Sequence, residues 1–254
     1  MKLVETPSFK LAIHAKGDEN AGKLALVLPG RLDTKDYVHM TSHVDYLADK
    51  GFYAISFDPP FTWESPGDIK NYSTTNYIKV VNELIAHYGN KPTLLVGHSR
   101  GGAVSQLSSS NPNVKALVLV MSSYGPPTQP DPKNVSDDVF IDHRDLPPGT
   151  TRTAKQIEMR TPMNYFRDVT QYNPAEALRK FDGPKLMICG SKDEFIRPEK
   201  VKEIFNSLLE PKIFLELDAE HDYRLHADMI KRVNETMGEF LGKYWPSNPD
   251  FPKP

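Results

Sequence analysis

Two kinds of apolar spacing take turns along the chain. In Leu24–Leu28, Tyr53–Phe57, Thr93–Val96, Val114–Val120, Pro184–Cys189 and Lys212–Leu217 the residues are mostly apolar without a break. Such runs predict strands covered on both faces. Between them apolar residues recur at three- and four-residue spacing. They do so at Val44, Leu47 and Ala48; at Val80, Val81, Leu84 and Ile85; at Ala103, Val104 and Leu107; and at Val201, Ile204, Phe205 and Leu208. The longest stripe runs from Met229 and Ile230 through Val233, Met237, Phe240 and Leu241 to Tyr244. Each predicts a helix with one buried face. Gly51 and Gly89 follow two of the stripes, as helix-closing glycines do. Pro174–Phe181 predicts one more helix, Asp18–Gly22 a turn, and the looser alternation of Phe9–Ala15 an edge strand or hairpin arm. Repeated strand–helix units predict an α/β fold: a mostly parallel central sheet with helices on both faces. No internal repeat is visible.

Ser122–Tyr172 interrupts the alternation. It is polar and rich in proline, with short helices expected only around Thr153–Met159 and Pro162–Asp168. A loop of this length inside a compact domain is usually functional or separately folded. The expected organisation is a core of residues 1–121 and 174–245, a small inserted cap or lid at 122–173, and a flexible tail at 246–254, with fraying from Trp245 onward. A disordered surface insertion is the other reading of 122–173.

Composition narrows the possibilities. The chain has 254 residues, 39% hydrophobic and 25% charged, which suits a soluble globular protein with one sizeable core. Net charge is −2 with no basic block, so nucleic acid is not an expected partner. Met1–Lys10 lacks a signal-peptide core, and no run is long enough for a membrane span. The single cysteine, Cys189, rules out an internal disulfide framework and suits a reducing, cytoplasmic location. It sits in an apolar strand and reads as buried and inert. Oligomeric state is left open.

The chemistry centres on Gly97-His98-Ser99-Arg100-Gly101, a G-x-S-x-G match between the strand ending at Val96 and the helix carrying Ala103 and Val104. A nucleophile elbow requires that context. The bland alternative is a glycine-rich turn with a serine N-cap. Glycines on either side of Ser99 permit a strained turn, which lifts the hydroxyl above the sheet edge and directs the first helical N–H groups to the same place. In parallel sheets ligands gather at the carboxyl ends of the strands. Pro29–Leu32, Ser99, Asp193 and His221 all fall there. A serine hydroxyl needs a base to take its proton, and the base needs an acid to orient it. Ser99, Asp193 and His221 offer those roles from three strand ends, in the order Ser, Asp, His. Glu194 neighbours the acid, and Asp218 and Asp222 are alternatives to it. His98 reads as packing beside the serine, and His226 as lying near the start of the last helix. His39 and His43 stand four apart, but no H-E-x-x-H pattern or further ligand accompanies them, so no metal is expected.

With these residues the sequence resembles the α/β-hydrolase superfamily, over about Phe9 to Tyr244. The carriers are Gly97–Gly101, the strand and turn Pro184–Asp193, and Asp218-Ala219-Glu220-His221. The resemblance implies Ser99 as nucleophile, His221 as general base and Asp193 as acid. It also implies an oxyanion hole from the backbone N–H groups of Arg31 and Arg100. Pro29-Gly30 stands where His-Gly is common, yet Arg31 keeps a donor. Asp58-Pro59-Pro60-Phe61 departs from the glycine-rich pattern usual after that strand. The expected activity is a cofactor-free serine hydrolase that cleaves a small-molecule carboxylic ester through an acyl-enzyme, with Phe140, Tyr165 and Phe166 shaping its pocket. The same three residues also suit a thioesterase, peptidase, carbon–carbon hydrolase or perhydrolase, and the fold alone a non-catalytic binding protein. The Arg31 and Arg100 side chains read as solvated, with an anionic substrate group as their other use.

Overall fold

Five of the six apolar runs become the middle of one sheet because each buries both faces; the sixth, Lys212–Leu217, is instead an edge strand and mostly half-buried. The computed structural model describes residues 2–125, 129–152 and 156–245. Its main sheet has eight strands: β1 (Lys2–Glu5), β2 (Lys10–Lys16), β3 (Leu24–Leu28), β4 (Tyr53–Phe57), β5 (Thr93–His98), β6 (Val114–Val120), β10 (Lys185–Gly190) and β11 (Lys212–Leu217). Their spatial order is β1-β2-β4-β3-β5-β6-β10-β11. The six from β4 to β11 pair in parallel; β1 and β2 are antiparallel at one edge. The first edge strand, β1, is not among the expected elements: three exposed residues around one buried valine leave no periodic signal.

Alternate side chains of each strand feed two separate apolar layers. Leu24, Leu26 and Leu28 of β3 pack on one side with helices α2 (Thr74–His87), α3 (Arg100–Leu107), α5 (Pro174–Lys180) and α6 (Pro198–Asn206). Ala25 and Val27 pack on the other with α1 (Val38–Asp49) and α7 (Ala227–Tyr244). At ~0.8 kcal/mol per buried methylene, this two-sided burial is the main force holding the strand ends in place. Trp245 belongs to the second layer: it is buried against Phe52, ring centroids 4.7 Å apart, and does not fray as expected. Residues 246–254 lie outside the described residues.

Residues 122–173 depart most from expectation. They carry a second, three-stranded antiparallel sheet of β7 (Val135–Ser136), β8 (Val139–Asp145) and β9 (Gln156–Pro162), then helix α4 (Met163–Val169). The expected α4 is present. The helix expected at Thr153–Met159 is not: residues 153–155 lie outside the described residues, and from Gln156 the chain is a strand. Every second side chain near its end, Met159 and Thr161, is buried. Seven residue pairs with β8 satisfy a backbone that a helix would have satisfied internally.

Charged and aromatic contacts join this segment to the core. Arg224 donates to Asp145 Oδ2 at 2.6 Å and to the carbonyl of Gly149. The Tyr37 hydroxyl donates to the carbonyl of Asp145 at 2.9 Å. Arg31 pairs with Asp142 at 2.6 Å and lies over the rings of Phe140 and Phe166. Among the described residues, no helix is long and apolar enough to cross a membrane.

Candidate active site

β5 ends at His98, and α3 begins at Arg100, so the whole reversal falls on Ser99. Its φ of 51° and ψ of −116° lie in a region that costs a non-glycine residue about 1–3 kcal/mol. The flanking glycines make the turn possible by close approach. A Cβ on Gly97 would stand 2.5 Å from the Gly101 backbone, and one on Gly101 would stand 2.5 Å from the Pro29 carbonyl oxygen. Below the turn, Gln106 Nε2 donates to Ser122 Oγ at 2.8 Å and to the Ser123 carbonyl at 2.9 Å. Ser123 N–H donates to the Ser99 carbonyl at 3.0 Å. Ser99 occupies the N-cap position, but its hydroxyl makes no capping bond, unlike the serine of an ordinary turn.

That hydroxyl instead meets His221, with Oγ 2.9 Å from Nε2. On the far side of the ring, Nδ1–H donates to Asp193 Oδ2 at 2.8 Å. The other carboxylate oxygen of Asp193 accepts the N–H groups of Phe195 at 2.9 Å and Ile196 at 2.8 Å. Both oxygens are thereby fixed, and so is the ring tautomer: Nδ1 carries the proton and Nε2 presents its lone pair to the hydroxyl. Burial disfavours the charged imidazole, but the Asp193 hydrogen bond and charge outweigh it and raise the His221 pKa above 6.5. The three residues lie 28 and 122 positions apart in sequence. They meet because β5, β10 and β11 all end on the same edge of the sheet.

The alternative acids are elsewhere engaged. Asp218 is exposed and pairs with Lys192 at 2.8 Å. Glu194 accepts the backbone N–H of His221 at 3.4 Å. Asp222 pairs with Arg152 at 3.4 Å. The N–H groups of Arg31 and Arg100 donate to no acceptor among the described residues. Gly30 brings the first of these loops against the elbow: a Cβ there would lie 3.3 Å from Ser99 Cβ. Such an arrangement is capable of passing a hydroxyl proton to an imidazole.

The histidines divide differently from the i, i+4 pairing in sequence. His43 is satisfied on both sides: Nδ1–H donates to Asn234 Oδ1 at 2.6 Å, and Nε2 accepts from the Tyr223 hydroxyl at 2.7 Å. Burial pushes its pKa down to about 4. His39 turns toward Asp33 and His98, with one ligand atom from each within 4.8 Å of the others. These three are the described groups that a small cation would use. His98 Nε2 also donates to the His221 carbonyl at 3.2 Å, and Nδ1 faces Asp33 Oδ2 at 3.4 Å. His98 thus packs beside the serine, as expected, and ties the His221 loop to the Asp33 loop. Burial works against the Asp33 carboxylate, yet His98 and the Arg144 charge hold it well below the usual range. His226 takes the N-cap position of α7. Cys189 is buried, and burial pushes its thiol up to about 12.

Above Ser99 opens a cavity of about 560 Å³, within the range of small-molecule sites. Phe140 and Phe166 line it; Tyr165 does not, being stacked behind on Tyr72 at 4.8 Å. Phe195 lies 5.1 Å from the His221 ring and is 71% exposed at the cavity mouth. Asp33, Asp142, Arg144 and Phe195 also line the cavity and belong to no motif legible in sequence. Position after the expected acid was the only signal for Phe195. Arg100, expected in solvent, is 4% exposed.

A parallel sheet with an acute strand–helix turn over its edge, and a Ser–His–Asp cluster at that edge, defines a class of hydrolase folds. The model of the alpha/beta hydrolase fold family matches residues 25–164, more than half of the chain, and the protein belongs to that family. Among solved structures it is similar to Est1E from Butyrivibrio proteoclasticus with ferulic acid bound, at 17% identity and a TM-score of 0.74, covering 96% of this chain and 100% of that one. It is similar also to the esterase domain of a Rhodothermus marinus protein, at 19% identity and a TM-score of 0.68, covering 96% and 97%. A third is alpha/beta hydrolase domain-containing protein 10 from mouse, at 17% identity and a TM-score of 0.73, covering 95% and 98%. Identities this low speak for the fold alone. No curated protein matches the sequence.

Proposed function

We propose that this hydrolase-fold protein is a serine esterase acting on small carboxylic esters through an acyl-enzyme. The observation that carries the reading is the unbroken line from Ser99 Oγ through the His221 ring to a fully hydrogen-bonded Asp193. Esterase-type structural neighbours support it. Ser99 Oγ attacks the ester carbonyl carbon as its proton passes to His221 Nε2. The carbonyl oxygen takes up the negative charge, and the N–H groups of Arg31 and Arg100 stabilise it. Asp193 keeps the imidazolium in place without taking its proton. His221 then protonates the departing alkoxide as the carbon–oxygen bond breaks, leaving an acyl group on Ser99. Water repeats the sequence in reverse roles: His221 accepts its proton, the acyl bond to Ser99 breaks, and the acid departs as the proton returns to Oγ.

Residues 122–173 act as the cap in this reading. They place Phe140 and Phe166 over the reacting centre, where an acyl or alcohol chain buries its apolar surface. A fluorophosphonate probe is the test. Labelling of the wild type and none of Ser99→Ala is the expected result; equal labelling of both removes Ser99 from the mechanism.

A further inference from the structure

The cavity wall contains four arginines: Arg31, Arg100, Arg144 and Arg152. Three face carboxylates. Arg31 holds Asp142 at 2.6 Å, Arg144 reaches the same group at 3.4 Å, and Arg152 lies 3.4 Å from Asp222. Of the remaining acids in the wall, Asp33 faces His98 and Glu194 accepts the His221 N–H. Arg100 is left over: among the described residues no carboxylate is within ion-pair range of it, and its Nη1 is buried without an acceptor.

Each feature of that placement is unfavourable on its own. A buried guanidinium without a counter-charge costs several kcal/mol. Its position in the first turn of α3 sets a cation against the positive end of the helix dipole. Arg31, in the same wall, adds a second donor: its Nη1 is also buried without a partner. An anion arriving from the cavity would supply the counter-charge that Arg100 lacks, through a bidentate, charge-assisted contact.

We propose that Arg100 seats an anionic group of the substrate, so that the preferred ester carries a free carboxylate on its acyl or alcohol part. The proposal rests on the reading of Ser99 as the nucleophile, since Arg100 is its chain neighbour. Arg31, already held by Asp142, adds a second donor.

Two measurements test it. In the first, wild-type kcat/KM for 4-nitrophenyl hemiglutarate and for methyl (4-hydroxyphenyl)acetate esters bearing a free acid in place of the methyl group is compared with that for the matched neutral esters. The two pairs distinguish acyl from alcohol placement. One charged member is favoured at least about tenfold, chiefly through KM; the ratio falls toward one in Arg100→Gln and partly recovers in Arg100→Lys. A wild-type ratio near one, or a preference that survives Arg100→Gln, overturns the subsite while leaving the esterase reading intact. In the second, calorimetry on Ser99→Ala measures binding of glutaric acid monoanilide against pentananilide, with no turnover required. Tighter binding of the acid, lost in Ser99→Ala/Arg100→Gln, supports the subsite even if no ester is cleaved; equal binding of the two anilides rejects it.

Discussion

The floor and the roof of the cavity are built by different physics. The floor is the set of strand ends β3, β5, β10 and β11, whose apolar side chains feed the two layers of the core. The roof is the β7–β9 hairpin and α4, which bury one small cluster around Leu32, Tyr72, Met159, Tyr165 and Phe166 and otherwise hold on through ion pairs. Rigid packing fixes Ser99, His221 and Asp193 to within hydrogen-bond distance, as proton transfer demands. The roof needs only to present surface to a substrate, and a few charged tethers suffice. In the proposed function, chemistry sits on the floor and selection on the roof.

The sharpest separation comes from Ser99→Ala. Turnover should fall about 10⁴-fold or more, with Tm by calorimetry little changed, because the residue contributes a hydroxyl and no core volume. Loss of fold together with activity would instead make Ser99 part of the scaffold.

Next in size is the tether between roof and floor. Arg224→Met removes the Arg224 contact from a buried Asp145, and breaking a buried pair costs up to about 3–5 kcal/mol. Hydrogen exchange should rise in β8 and β9 well before it rises in β5, and KM should change more than kcat. Uniform destabilisation of both regions would mean that they are one cooperative unit.

Within each region, side-chain truncation should differ in the same direction. Leu26→Ala in the floor should cost about 2–5 kcal/mol in denaturant unfolding. Ile157→Ala on the exposed face of β9 should stay within about 0.5 kcal/mol.

The smallest expected effect is a shift in pH dependence. The His221 pKa is raised in the fold, so its neutral, proton-accepting form dominates only above that raised value. The acid limb of kcat/KM should therefore lie above pH 6.5 in the wild type and move down in Asp193→Asn. Stability responds with the opposite sign: the favourable contribution of protonated His221 is complete below the unfolded pKa and is lost as pH rises through the folded one.

The same contrast explains what the sequence reveals. Strands such as Leu24–Leu28 announce themselves because two-sided burial demands an unbroken apolar run. Ser99, Asp193 and His221 are legible because each follows such a strand. β8 and β9 are not legible, because Val139–Asp145 mixes two charge signs with one partly buried face and its pairing is with a neighbour rather than a core. Arg100 shows the same limit at one residue. A charged side chain beside a motif reads as solvated, and only the folded chain reveals that Arg100 is enclosed.

In the proposed mechanism Ser99 becomes covalently acylated. Rapid quenching of the protein with a 4-nitrophenyl ester, followed by peptide mass spectrometry, tests it directly. A mass increase equal to the acyl group is expected on the peptide containing Ser99, formed as nitrophenol is released and absent in Ser99→Ala. Sustained Ser99-independent ester cleavage, or an acyl group found on a different residue, would contradict it.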